Sequence, residues 1–242
     1  MGTIASCAKR ESDEIQPFPQ MGRLIDALNL GLPTLKKRVP LQSANAYCYI
    51  VKTIEYRADR FIQTGSGPNF QGGIITLCTC KHQMRSRRAV ESWPGQWIAG
   101  FTSRAGVFGQ HYLVYLMRVS EACASHQELW YAVPAKVRQA KAAHLHPLGD
   151  LYQPKSPSGD PHDPLDYVPP CADHNHAQND DWHNDIDYKK RRGRQPPLLV
   201  GDSRLSFLWD TPALRLPWEL PRDYTERNLP HLLDQLEAAN GG

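Results

Sequence analysis

The sequence predicts an α+β fold, a small mostly-β barrel or curled sheet with a few flanking helices and long loops. Three observations predict it. Four segments, 45–55, 74–80, 96–102 and 111–121, are rich in β-branched and aromatic residues. Glycine and proline punctuate the chain between them, as in small barrels. The remaining apolar periodicity is confined to short stretches, and no run approaches the ~18 residues that a membrane helix needs.

Taken in order, residues 1–19 are polar and end on Pro17, Phe18 and Pro19, which reads as a disordered tail. Leu24, Ile25, Leu28 and Leu30 recur at near-helical spacing, so a short amphipathic helix is expected over 21–30, with Gly31 and Pro33 as its stop. Residues 45–55 (NAYCYIVKTIE) read as the first strand, with Tyr47, Tyr49 and Val51 on one face. A loop over 64–73 holds four glycines, a proline and an asparagine and leads into the strand 74–80. The segments 96–102 (QWIAGFT) and 111–121 (HYLVYLMRVSE) complete the set; in the latter Leu113, Tyr115, Met117 and Val119 share a face.

Residues 125–143 have helical composition broken by Pro134, and six prolines over 154–170 exclude regular structure there. Between 156 and 188 stand eight aspartates and four histidines without a lysine or arginine; Lys189, Lys190, Arg191, Arg192 and Arg194 follow at once. We read 154–194 as a Pro/Asp/His-rich loop or insertion in a single domain spanning 20–217. One or two last strands are expected at 198–200 and 205–209, and a helix at 229–236 within a C-terminal segment 218–242.

With 242 residues, 40% of them hydrophobic, the chain is long enough for a real core. A net charge of +3, from 28 basic and 25 acidic residues, does not by itself imply a polyanionic partner; the charges are segregated, and their placement carries the signal. Cys7, Cys48, Cys78, Cys80, Cys123 and Cys171 occur without a secretory signal and read as reduced thiols of a soluble cytoplasmic protein. The opening MGTIASC matches the short myristoylation pattern, one that recurs by chance.

Three groups of residues have chemistry to offer. Lys81, Arg85, Arg87 and Arg88 place four cations just past a strand end, where phosphates are neutralised regardless of base sequence. Tyr47, Tyr49, Phe70, Trp93, Trp97, Tyr115 and Trp209 supply rings around the same strands, and bases are held by stacking on such rings. Cys171, His174, His176 and His183, interleaved with aspartates that include Asp187, suit a divalent metal, although the spacing matches no standard zinc module. The chain has no phosphate-cradling loop with Lys and Ser, no dinucleotide fingerprint, no serine elbow and no deaminase signature.

Read together, NAYCYIVKT, PNFQGGIITLCTCKHQMR, PGQWIAGFTSR and YLVYLMRVSE resemble the second nucleotide-modification-associated domain family, over 45–121 well and over 171–217 loosely. Gln96 stands where that family has the Asp of its "GDW" segment, and His82 where it has a proline. The resemblance implies a role near modified bases, in a bacterial or phage DNA-modification or defence setting. The QWIAGFT strand also looks like the second strand of PUA-like base-binding barrels, an analogy that does not settle activity.

Two classes of function follow. In a binding module, Tyr47, Tyr49, Trp97 and Thr102, with Trp209, line a pocket for an extruded base while Lys81, Arg85 and Arg87 grip the backbone. In an enzyme acting on a modified base or nucleotide, Cys80, His174, His176 and Asp187 are the catalytic or metal-holding groups, with Lys81 favouring a Cys80 thiolate. The cofactor is unknown, a divalent metal being the candidate. Recognition of modified nucleotides or bases in nucleic acid is the first reading.

Overall fold

A computed structural model describes residues 27–40, 44–63, 67–141, 150–169 and 182–241. The chain forms α1 (Leu32–Arg38), β1 (Asn45–Val51), β2 (Ile54–Arg57), β3 (Arg60–Gln63), β4 (Thr76–Leu77), α2 (His82–Arg85), β5 (Trp97–Thr102) and β6 (His111–Cys123). There follow α3 (His126–Ala132), α4 (Ala135–Lys141), α5 (His183–Ile186), α6 (Tyr188–Arg192), β7 (Leu198–Leu208), β8 (Arg215–Leu216), β9 (Thr225–Asn228) and α7 (Leu229–Asn240). The architecture is α+β, built on one curled mixed sheet in the order β4-β7-β6-β5-β1-β9, with β8 on β6 and a separate β2–β3 hairpin.

β1 and β5 are adjacent and parallel, Ala46 beside Trp97 and Val51 beside Thr102. A parallel neighbour demands a crossover, and residues 52–96 provide it. Such a strand is buried on both faces. Tyr47, Tyr49 and Val51 therefore enter one core with Phe70, Trp93 and Tyr115, while Ala46 and Cys48 enter another with Trp97, Phe101 and Trp209. Gly100 makes the first core possible: a Cβ there would lie 2.1 Å from Tyr115 Cε1 and 2.8 Å from Val51 Cγ2.

The second core is roofed by α1 and α7. Leu229, Leu232, Leu233 and Leu236 recur at i, i+3, i+4 and i+7 on the buried face of α7, and Asn228 caps it by accepting from the His231 amide at 3.1 Å. The helical stretch 125–143 is two helices, as Pro134 requires. Ser125 starts α3 by accepting from the Glu128 amide, and Glu128 reaches back to the Ala124 amide at 2.6 Å.

Three local expectations change and one is narrowed. Gly31 and Pro33 do not stop a helix but start α1, with Gly31 the residue before it and Pro33 in its first turn, where a missing N–H costs nothing; most of the helix expected over 21–30 lies outside the described residues. The first strand ends at Val51 and the chain turns into the β2–β3 hairpin. Of the one or two late strands expected there is one, in which the Asp202 carboxylate accepts from the Arg204 and Leu205 amides and carries β7 through its irregular middle. Part of the segment 154–194 is helical, as α5 and α6. Among the described residues no helix is long and apolar enough to cross a membrane.

Candidate nucleotide-binding cleft

The motif segment 67–88 does not simply cross the sheet; it folds around a buried polar network. Thr76 Oγ1 donates to both oxygens of buried Asp150, at 3.0 and 2.8 Å. Lys141, at the end of α4, donates to the Asn69 carbonyl and side-chain oxygen at 3.1 and 2.7 Å. Burial pulls Lys141 down to about 8 and raises Asp150. Arg85 is 1% exposed. Its Nε donates to the Cys80 carbonyl at 2.7 Å, and its Nη1 donates to the carbonyls of Pro196 and Pro197 at 3.2 and 2.7 Å. This guanidinium is a strut between the motif and the entry to β7.

A second buried carboxylate, Asp185 of α5, holds two partners. One of its oxygens lies 3.0 Å from His82 Nε2 and the other accepts from the Tyr152 hydroxyl at 3.0 Å. Against an ionised Asp185, which only accepts, it is Nε2 of the ring that donates. The His82 ring stacks on Tyr188, centroids 4.6 Å apart and planes 18° apart.

Above this floor lies a cleft of about 270 Å³ lined by Lys81, His82, Gln83, Met84, Tyr188, Asp223 and Tyr224. A hollow of about 380 Å³ adjoins it, lined by Gln83, Arg87, Tyr188, Arg192 and Arg194, so that Gln83 and Tyr188 belong to both. Lys81 has a left-handed backbone (φ 56°, ψ 41°), a strained conformation for a residue with a side chain and one that gathers at functional sites. Its ammonium donates to the carbonyls of Arg222 and Asp223 and lies 5.1 Å from the centre of the Tyr49 ring; burial lowers its pKa. Arg87 lies 5.9 Å from the Tyr224 ring centre. The lining holds the cations Lys81, Arg87, Arg192 and Arg194 against the single carboxylate Asp223. Chemically, it offers rings for a flat heterocycle and guanidinium groups for phosphate.

The residues singled out from sequence scatter differently from expectation. Lys81 and Arg87 line the cleft, whereas Arg85 points inward. Tyr47, Tyr49, Trp97, Thr102 and Trp209 are all packed in the interior, none more than 1% exposed. They do not share a pocket, because Trp97 and Trp209 occupy the opposite face of the sheet from Tyr47 and Tyr49. Thr102 Oγ1 accepts from the Tyr112 amide at 2.9 Å. The Tyr49 and Tyr115 hydroxyls pair at 2.8 Å, and burial pushes both well above the usual range.

Cys80 packs against the same core, where Gly67 makes room for it: a Cβ on Gly67 would lie 2.8 Å from the thiol sulfur. Burial pushes that thiol up to about 12 despite Arg85 and Lys81, so the lowered pKa expected from the Lys81 neighbour is not found. Asp187 sits at the joint of α5 and α6, one residue before Tyr188. His174 and His176 lie outside the described residues, and among those that are described no group of three His, Cys, Asp or Glu is placed to hold a metal ion. Cys48, Cys78, Cys80 and Cys123 are free thiols.

Sequence reasoning missed His82, Tyr188 and Tyr224 as cleft residues, and Asp185 as the buried partner of His82. A signal existed for Tyr188: it stands four residues before Arg192, the spacing that puts two side chains on one helical face.

The motif segment, the crossover and α2 through α4 fall together in one stretch. The model of the nucleotide modification associated domain 2 family matches residues 44–147. This stretch is similar to that domain. The matched stretch takes in β1 to α4, and it contributes Lys81, His82, Gln83, Met84 and Arg87 to the cleft. The opposite wall, with Tyr188, Arg192, Arg194, Asp223 and Tyr224, comes from beyond the matched residues. No curated protein and no solved structure matches the chain at a significant level.

Proposed function

We propose that the protein recognises modified nucleotides or bases in nucleic acid, holding the base in the Lys81–Tyr188–Tyr224 cleft and the phosphates on Arg87, Arg192 and Arg194. The observation that carries this reading is the convergence of cations and rings on one cleft of a domain whose family is tied to nucleotide modification. Extruding a base from a helix costs a few kcal/mol, and stacking on a ring returns ~1–3 kcal/mol per base. The polar end of Gln83 is then placed to distinguish a modified edge from an unmodified one. A bacterial or phage modification system is the setting this function fits.

The test is binding of oligonucleotides with and without methylated or hydroxymethylated cytosine, at fixed salt. Tyr188→Ala should weaken binding by roughly 5- to 150-fold, the equivalent of one lost stack. Arg192→Gln should weaken all sequences alike and flatten the salt dependence. Wild-type affinity in the Tyr188→Ala protein would refute the proposal.

A second reading, an enzyme acting on the modified base or nucleotide, draws on one observation. His82 lines the cleft and its ring is oriented by the buried Asp185, the arrangement of an oriented acid or base. Chromatography of nucleosides after long incubation separates the two: an unaltered modified base argues for recognition alone.

A further inference from the structure

The cleft explains how one nucleotide is held, but the charged surface continues past it. We propose that the ligand is a single-stranded polynucleotide lying along a track that runs from Arg192 and Arg194, over Arg87 and Arg88, to Arg118 at the starting ends of β1 and β5. This extends the reading above and rests on it.

The argument begins with two consecutive arginines that face different hollows. Arg87 lines the hollow beside Tyr188, whereas Arg88 lines a third hollow, of about 670 Å³, together with Asn45, Gln96, Trp97 and Arg118. A chain of side-chain contacts joins the two, passing through the buried Tyr47. Arg87 lies over the Tyr224 ring, Tyr224 lies 5.9 Å from the Tyr47 ring, and the Tyr47 hydroxyl accepts from Arg88 Nε. None of Arg87, Arg88, Arg118, Arg192 and Arg194 forms an ion pair among the described residues. Arg194 Nη1 donates to the Ser86 carbonyl and Arg88 Nε to the Tyr47 hydroxyl, beside Glu226, which leaves each guanidinium further N–H groups for phosphates.

Pockets for small ligands span ~300–1,000 Å³, a size the cleft and its adjoining hollow together already provide. The third hollow, with two arginines of its own, is surplus to a mononucleotide and suits the next phosphates of a strand. The rings favour a single strand over a duplex, because Tyr188 and Tyr224 meet a base face only when that base is unstacked from its neighbours.

The experiment uses fluorescein-labelled thymidylate, a dinucleotide and a dodecamer, with anisotropy read across a salt titration. The wild-type protein should bind the dodecamer at least tenfold more tightly than the dinucleotide. Arg118→Gln, a half-exposed position whose loss leaves the melting temperature unchanged, should weaken the dodecamer by about three- to tenfold and reduce its log–log salt slope by roughly 0.7, with dinucleotide binding intact. Equal affinity for the two lengths together with a silent Arg118→Gln would overturn the track while leaving the cleft standing. Failure of both probes to bind at low salt would overturn the track and the cleft reading together.

Discussion

Arg85 offers the sharpest separation between a residue that builds the site and one that serves it. Its guanidinium is enclosed, and it gives hydrogen bonds to three carbonyls, those of Cys80, Pro196 and Pro197. Replacing it by methionine keeps much of the apolar stem but leaves those three acceptors without a donor and takes a buried cation away from Asp150 and Asp185. Breaking a buried charged arrangement from one side costs about 3–5 kcal/mol. For a chain of this size a change of 1 kcal/mol moves the melting temperature by ~2–4 °C, so Arg85→Met should melt roughly 6–20 °C below wild type. Arg87→Gln is the paired control: Arg87 is exposed, and surface changes of this kind stay within about 0.5 kcal/mol. It should melt with wild type yet bind oligonucleotide more weakly. Thermal melts and anisotropy on the same preparations decide the matter. An Arg85→Met protein that melts with wild type but no longer binds would refute the assignment of this guanidinium to the scaffold.

Two further outcomes follow from the interior. Gly100→Ala drives a methyl group into Tyr115 and Val51, an overpacking that should cost about 1–3 kcal/mol or more; the companion change Tyr115→Leu should recover part of it, and a denaturant melt showing neither the loss nor the recovery would contradict the packing. Lys141 is held near 8 in the folded chain against 10.5 in the unfolded one, so above about pH 8 the unfolded state carries the extra proton and this group makes stability rise with pH. Between about pH 7 and pH 9 the stability of wild type relative to Lys141→Met should grow by roughly 1 kcal/mol in urea titrations, and a difference that stays flat would show that Lys141 is not titrating there.

The central strands were readable because their residues are apolar on both faces, which is what the parallel β1–β5 pair demands. β3 and β9 were not readable for the opposite reason: Arg60–Gln63 is short, and Thr225–Asn228 shows mostly exposed polar residues, so neither carries an apolar alternation. The basic run was located correctly as a segment but not residue by residue. Arg85 and Arg87 stand two apart at the end of a one-turn helix, and that separation turns one into the core and the other into solvent. Aromatic content misled in the same way. Large rings fill the interior more often than they meet ligands, and burial is set by which strand pairs with which, a property no local window contains. The wall formed by α6 and Tyr224 comes from segments distant in sequence, one read as a charged insertion and the other as a C-terminal helix and tail.

The position of β7 has a practical bearing on how this protein should be made. β7 sits between β4 and β6, inside the sheet and second from its β4 edge, although it begins at Leu198, well after the matched stretch ends. A gene fragment cut to residues 44–147 would express a sheet with its interior strand missing, two raw edges facing each other and the Arg85 acceptors at Pro196 and Pro197 absent. The shortest piece worth producing therefore runs to the end of α7, and library designs that shuffle this domain between chains must move both halves together.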